Sequence, residues 1–135
     1  GLVHHVFGVV DTGFAVIQLQ FGAVADHQHA LRHAHSQRID GHLGLLDAAA
    51  GETPWLFSAD TPTCLSLYLA CLMRWCALYP ADHDRRWFDT RATPRLHAML
   101  EGLETRASVR AAQAAEGLGP PPLTAPDYAS PPGGT

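Results

Sequence analysis

Three kinds of side chain in this sequence stand at spacings that could do chemistry. The run "ADHQHALRHAHSQRID" sets Asp26, His29, His33 and Asp40 along one helical stripe. His29 and His33, four residues apart, share a face with Asp26 one turn earlier, a spacing from which imidazoles ligate divalent metals. No second helix supplies an obvious Cys or Glu ligand, so the expectation is that no metal is bound and that the histidines form a solvated polar face. Cys64, Cys71 and Cys76 all lie in one helical segment, an odd number at spacings unlike a disulfide framework or a CxxC site, which predicts buried reduced thiols. Arg74 is the lone charge of the apolar run from Cys64 to Tyr79. It suits either a ligand-orienting role or a structural ion pair with Asp82 or Asp84.

The elements that must position these groups read as helices. Val3, Val6, Phe7, Val10, Phe14, Ile17, Phe21 and Val24 recur at three- and four-residue steps. A break is allowed at "DTG", Asp11 to Gly13, because glycine inside a helix costs about 1 kcal/mol. A second helix is expected from Ala25 to Ala50, with Val24, Leu31, Ile39, Leu46 and Ala49 on one side, His35 and His42 interleaved among them, and "GETP" ending it with Gly51 as a C-terminal glycine and Pro54 as the following proline. Thr63 is placed as the N-cap of a third helix, with Ser66 three residues on to complete a capping box. That helix is apolar almost all round, which predicts a rod buried at the centre of a bundle. Thr93 and Pro94 start a fourth helix with Leu96, Met99, Leu100 and Leu103 inward. A fifth runs from Ser108 to Glu116 and stops at Gly117. Residues 119–135 are rich in Pro and Gly without a period, hence extended or disordered. The expected architecture is all-α, an orthogonal bundle of about five helices over residues 1–118.

Composition narrows the function classes. With 135 residues, 47% hydrophobic and 16% charged, the chain has enough apolar surface for one core. A net charge of -4 with only nine Lys plus Arg, all of them Arg, argues against a nucleic-acid partner. No apolar run has the length of a membrane span and the first residues lack signal-peptide features, so a cytoplasmic, membrane-free protein is expected. The sequence opens with "GLVHHVF", already in an apolar pattern, which suggests that further sequence precedes it.

The segment "PWLFSADTPTCLSLYLACLMRW", followed by "RLHAMLEGLETRASVRAAQAAEGL", resembles the C-terminal all-helical domain of cytosolic glutathione transferases. The likeness is specific from about Thr53 to Leu118. Two departures stand out: Ser66 replaces the family's capping-box Asp, which predicts a looser cap, and Ala107 stands where the family often has Pro. The family's thioredoxin-like N-terminal domain, which binds glutathione and activates its thiol, has no counterpart here, so the resemblance assigns no catalytic residue to this chain. It implies that the first helix and the end of the central one wall the pocket of a hydrophobic electrophilic co-substrate. His4, His5, Phe7, Val10, Asp11 and Phe14 would stand on one side, and Arg74 and Trp75 on the other. For Phe7, Val10, Phe14 and Trp75 ordinary core packing is the stronger reading. Glutathione would be a co-substrate, with no cofactor bound by this chain alone, and the family's dimers predict a homodimer. Domains like this one also serve as non-catalytic interaction modules, which is the alternative.

Overall fold

The protein is represented by a computed structural model that describes residues 25–79 and 84–130, with side chains from residue 33 onward. Among the described residues the chain is all-helical and contains no strand. Helix α1 spans Ala25–Glu52, α2 Cys64–Leu78, α3 Pro94–Glu104 and α4 Ala107–Glu116, with short 3₁₀ turns at Pro54–Phe57, Arg85–Trp87 and Thr90–Ala92. The helix expected from Val3 to Val24 lies outside the described residues.

Apolar residues at helical spacing build the core. Helix α1 contributes Ile39, Leu43, Leu46 and Ala50, α2 Leu69, Ala70, Met73 and Cys76, and α3 Leu96, Met99, Leu100 and Leu103. Phe57 and Leu123 close it from the connecting segments. Each fully buried Leu or Met contributes roughly 1.5–3 kcal/mol of transfer free energy.

Helix ends are set by local chemistry in some places and by tertiary contacts in others. Helix α1 runs through Gly51 and ends where the Thr53 amide and hydroxyl both donate to the Ala49 carbonyl, at 2.8 and 3.0 Å. Gly51 is therefore an interior residue, not the cap, and Pro54 enforces the stop. At α2 the Thr63 hydroxyl accepts from the Ser66 amide (3.1 Å) while the Ser66 hydroxyl accepts from the Thr63 amide (2.9 Å). The same Thr63 hydroxyl donates to the Leu56 carbonyl at 2.6 Å, tying the cap to the preceding 3₁₀ turn.

Helix α3 starts at Pro94 without a side-chain cap from Thr93, whose hydroxyl donates to the Thr90 carbonyl. Its cap comes from α1. Buried Asp47 accepts from the amides of Arg95 (2.8 Å) and Leu96 (2.9 Å). A carboxylate there also gains from the helix dipole. Helix α4 ends at Gly117, in the left-handed conformation at φ 63° that favours glycine.

Helix α2 differs from the fully hidden rod expected of it. Cys64, Leu67, Tyr68 and Cys71 form an exposed stripe, with Leu67 46% and Tyr68 50% accessible. Among the cysteines only Cys76 is buried. The stripe follows from geometry: α2 meets the rest of the bundle along Ser66, Leu69, Ala70 and Met73, and the described residues offer nothing that covers the opposite side.

Candidate functional site

The end of α2 and the segment after α4 together form the most heavily bonded polar region of the described structure. Arg74 points its guanidinium at the tail: Nη1 donates to the Pro122 carbonyl at 2.6 Å and Nη2 to the Asp127 carbonyl at 3.0 Å. Partial burial lowers its pKa, while the charge of nearby Asp127 acts the other way. Of the ion-pair partners considered for Arg74, Asp84 instead holds Arg86 in a fork, and Asp82 lies outside the described residues. Trp75 is half-buried, packs against the core and stacks on Tyr79 with ring centroids 5.8 Å apart.

Residues 119–130 carry no helix or strand, bend repeatedly between Pro120 and Ala125, and are docked as a strap across the bundle. Leu123 is buried in the core. The Glu104 carboxylate accepts from the amides of Leu123 and Thr124, both at 2.8 Å, and from the Thr124 hydroxyl. Arg85 donates to the Ala77 and Pro126 carbonyls and pairs with Asp127 at 3.1 Å. The Tyr128 hydroxyl donates to the Leu78 carbonyl at 2.9 Å, and its ring lies 5.4 Å from the Arg85 guanidinium. The Tyr128 amide, and after it Arg85, hold the Asp127 carboxyl below its usual pKa.

A cleft of about 730 Å³ opens between the strap and the 84–91 segment, bordered by Arg85, Arg86, Arg91 and His97. Two Asp-x-Arg repeats shape its rim. Asp84 caps a 3₁₀ turn through the Arg86 amide and grips the Arg86 guanidinium, and Asp89 does the same with Arg91. The bond from Arg91 is the main reason the Asp89 carboxyl sits below its usual pKa. Each arginine is thus neutralised locally, and the forks stiffen the segment more than they attract anions.

At the back of the cleft, Thr90 Oγ1 lies 2.8 Å from His97 Nδ1, and His97 Nε2 lies 3.6 Å from Glu101. A hydroxyl, an imidazole and a carboxylate in that order are the parts of a nucleophilic relay. The Thr90 hydroxyl also donates to the Thr124 carbonyl at 3.1 Å, and Thr90 is buried. The arrangement therefore fastens the strap and presents no open nucleophile.

Of the residues expected to face a co-substrate, His4, His5, Phe7, Val10, Asp11 and Phe14 lie outside the described residues. Asp26 and His29 fall on α1 but their side chains are not described, and His33 is exposed. Among the described residues no group of three or more His, Cys, Asp or Glu could hold a metal. Asp47, Arg85, Glu104, Asp127 and Tyr128 carry much of the polar architecture and were not singled out as site residues from sequence. Each acts on a chain segment far away in sequence, so no local spacing reveals its partner.

Comparison with protein-family models, with curated proteins and with solved structures finds no match. Among the described residues no helix is long and apolar enough to cross a membrane.

Proposed function

We propose that this chain is the helical half of a glutathione transferase-like protein, an orthogonal bundle that walls the pocket of a hydrophobic electrophile. The supporting observation is the entry into α2: a polar loop, a reciprocal Thr63–Ser66 capping box, then a long apolar helix. Helix α3 beginning at Pro94 and short α4 follow in the order that the family uses. In this reading His4, His5, Phe7, Val10, Asp11 and Phe14 line one side of the pocket and Trp75 the other. Arg74 shapes that wall by fixing the strap beside it. Thiol activation comes from a thioredoxin-like domain on the same polypeptide, and the protein works as a cytoplasmic homodimer.

The test is the size and activity of the natural protein. It is expected to exceed this chain by a further domain of roughly 50–100 residues, to bind glutathione, and to conjugate it to a hydrophobic model electrophile. A natural product consisting of this chain alone, with no glutathione binding, overturns the reading.

The uncovered stripe of Cys64, Leu67, Tyr68 and Cys71 favours a second reading, a non-catalytic interaction module of similar fold. The two part on one result: the module needs no glutathione-binding domain, the enzyme does.

A further inference from the structure

The strap is held as a bound peptide is held. The bundle addresses its main chain at six points: the carbonyls of Pro122, Thr124, Pro126 and Asp127 accept from Arg74, Thr90 and Arg85, and the amides of Leu123 and Thr124 donate to Glu104. Capture of a proline-rich segment through its main chain by side chains of a groove is a recurring peptide-recognition mode. Prolines favour it because they pre-order the ligand and lower the entropy lost on docking.

Selectivity is built in as well. Leu123 fills a site in the core, the Thr124 hydroxyl reaches Glu104, Asp127 pairs with Arg85, and Tyr128 bonds the Leu78 carbonyl while standing edge-on to Tyr79. Nearly all the receiving groups belong to α2, α3 and the 84–91 segment. The strap is joined to them only through α4, which has no buried residue, and a link in which Gly117 and Gly119 flank Leu118. The Ser130 amide returns to the Gly117 carbonyl at 2.9 Å, so the strap closes on itself as one loop and can leave as one unit.

We propose that this face is a peptide-recognition groove for a bent, non-helical segment of the pattern Pro-Leu-Thr-x-Pro-Asp-Tyr, filled in cis by residues 122–128 and able to take the same segment of a second copy. The partner follows from the contacts themselves, since the strap is the ligand whose fit the groove displays. Apparent affinity in trans is then limited by the fraction of chains whose own strap is open. The proposal is independent of the transferase reading, because it uses neither glutathione nor the co-substrate wall.

The experiment titrates a fluorescein-labelled synthetic peptide of residues 119–130 against the full chain and against the full chain carrying D127A and Y128F. These substitutions weaken the resident strap and leave the groove unaltered. The substituted chain is expected to bind the peptide at least tenfold more tightly than the unaltered one, and adding E104Q is expected to reverse the gain. Absence of saturable binding by the folded D127A/Y128F chain, or equal binding of a scrambled peptide, overturns the proposal. If circular dichroism shows that the substituted chain does not fold, hydrogen exchange on the unaltered chain decides. The amides of Leu123 and Thr124 are expected to exchange faster than those inside α3, reporting a strap that opens by itself. Exchange of both only through global unfolding overturns the idea.

Discussion

Asp47 caps the helix that contains Leu96 from 49 residues away in sequence: its Oδ1 accepts the Leu96 amide at 2.9 Å and the Arg95 amide at 2.8 Å. The Arg95 side chain adds a longer contact, 3.3 Å, to Oδ2. One buried carboxylate therefore joins α1 to α3 and satisfies two amides that no residue of α3 itself can reach. Replacing Asp47 with Ala is expected to destabilise the protein by about 2–3 kcal/mol, because buried donors lose a charged acceptor. Asp47→Asn keeps an acceptor oxygen and is expected to cost about 1 kcal/mol less than Asp47→Ala. Urea denaturation of the three proteins at neutral pH measures both.

Cys76 makes stability depend on alkaline pH. Burial, aided by the charge of Asp40, pushes its thiol from the ordinary 9.0 up to about 12. Below pH 9 the thiol is protonated in folded and unfolded chains alike, so its contribution is fully present. Between pH 9 and about 12 only the unfolded chain ionises, and stability falls by about 1.4 kcal/mol per pH unit from this group. The stability difference between the native sequence and Cys76→Ala is expected to shift by that slope above pH 9. A difference constant with pH contradicts the assignment.

Thiol accessibility gives a direct check of how α2 sits. Cys64 and Cys71 are exposed and Cys76 is buried. Alkylation of the folded chain with iodoacetamide, followed by peptide mass analysis, is expected to modify Cys64 and Cys71, with Cys76 reacting only in denaturant. Protection of the first two thiols in the protein isolated from its source locates a surface that covers the stripe.

Gly102 is required by close packing. A Cβ placed there lies 2.6 Å from the Ala59 Cβ, well inside contact distance, and the helix backbone gives it little room to retreat. Gly102→Ala is expected to destabilise by about 1–3 kcal/mol despite the better helix propensity of alanine. A stabilised variant in thermal denaturation contradicts the packing described.

The capping box can be dissected by two substitutions. Ser66→Ala removes the acceptor of the Thr63 amide and the donor to the Thr63 carbonyl, and is expected to cost about 1–2 kcal/mol. Thr63→Ala removes the acceptor of the Ser66 amide and the donor to the Leu56 carbonyl, and is expected to cost about the same. Denaturant midpoints measure both, and a variant as stable as the native sequence contradicts the reciprocal cap.

Local signals were legible in the sequence where local physics decides. Thr63 with Ser66, Pro94, and Gly117 mark helix ends because their effect lies within one turn of their own position. Core positions such as Leu96, Met99, Leu100 and Leu103 follow from periodicity alone. Of the two stop signals in "GETP", Pro54 held and Gly51 misled as a cap, since a glycine near a helix end is permissive and the helix runs through it to Glu52. The α2 face misled for another reason: an apolar residue can be buried only if something lies opposite it, and periodicity does not name the neighbour.

The candidate site was the least legible part. Arg74 was recognisable as unusual, a charge on an apolar helix, but its partners are two carbonyls of the tail, about 50 residues on. Composition marked that tail as proline-rich and non-helical, and could not say whether it would dock. What the sequence by itself determined is that the described residues are helical with named starts and stops, because capping and periodicity act over three or four residues. Only the tertiary structure decided that Asp47 caps α3, that Glu104 and Arg74 hold the strap, and which side of α2 the other described residues leave open. Those outcomes depend on which charged group meets which unpaired backbone atom once distant segments have packed, and a lone Asp, Glu or Arg carries no record of that partner.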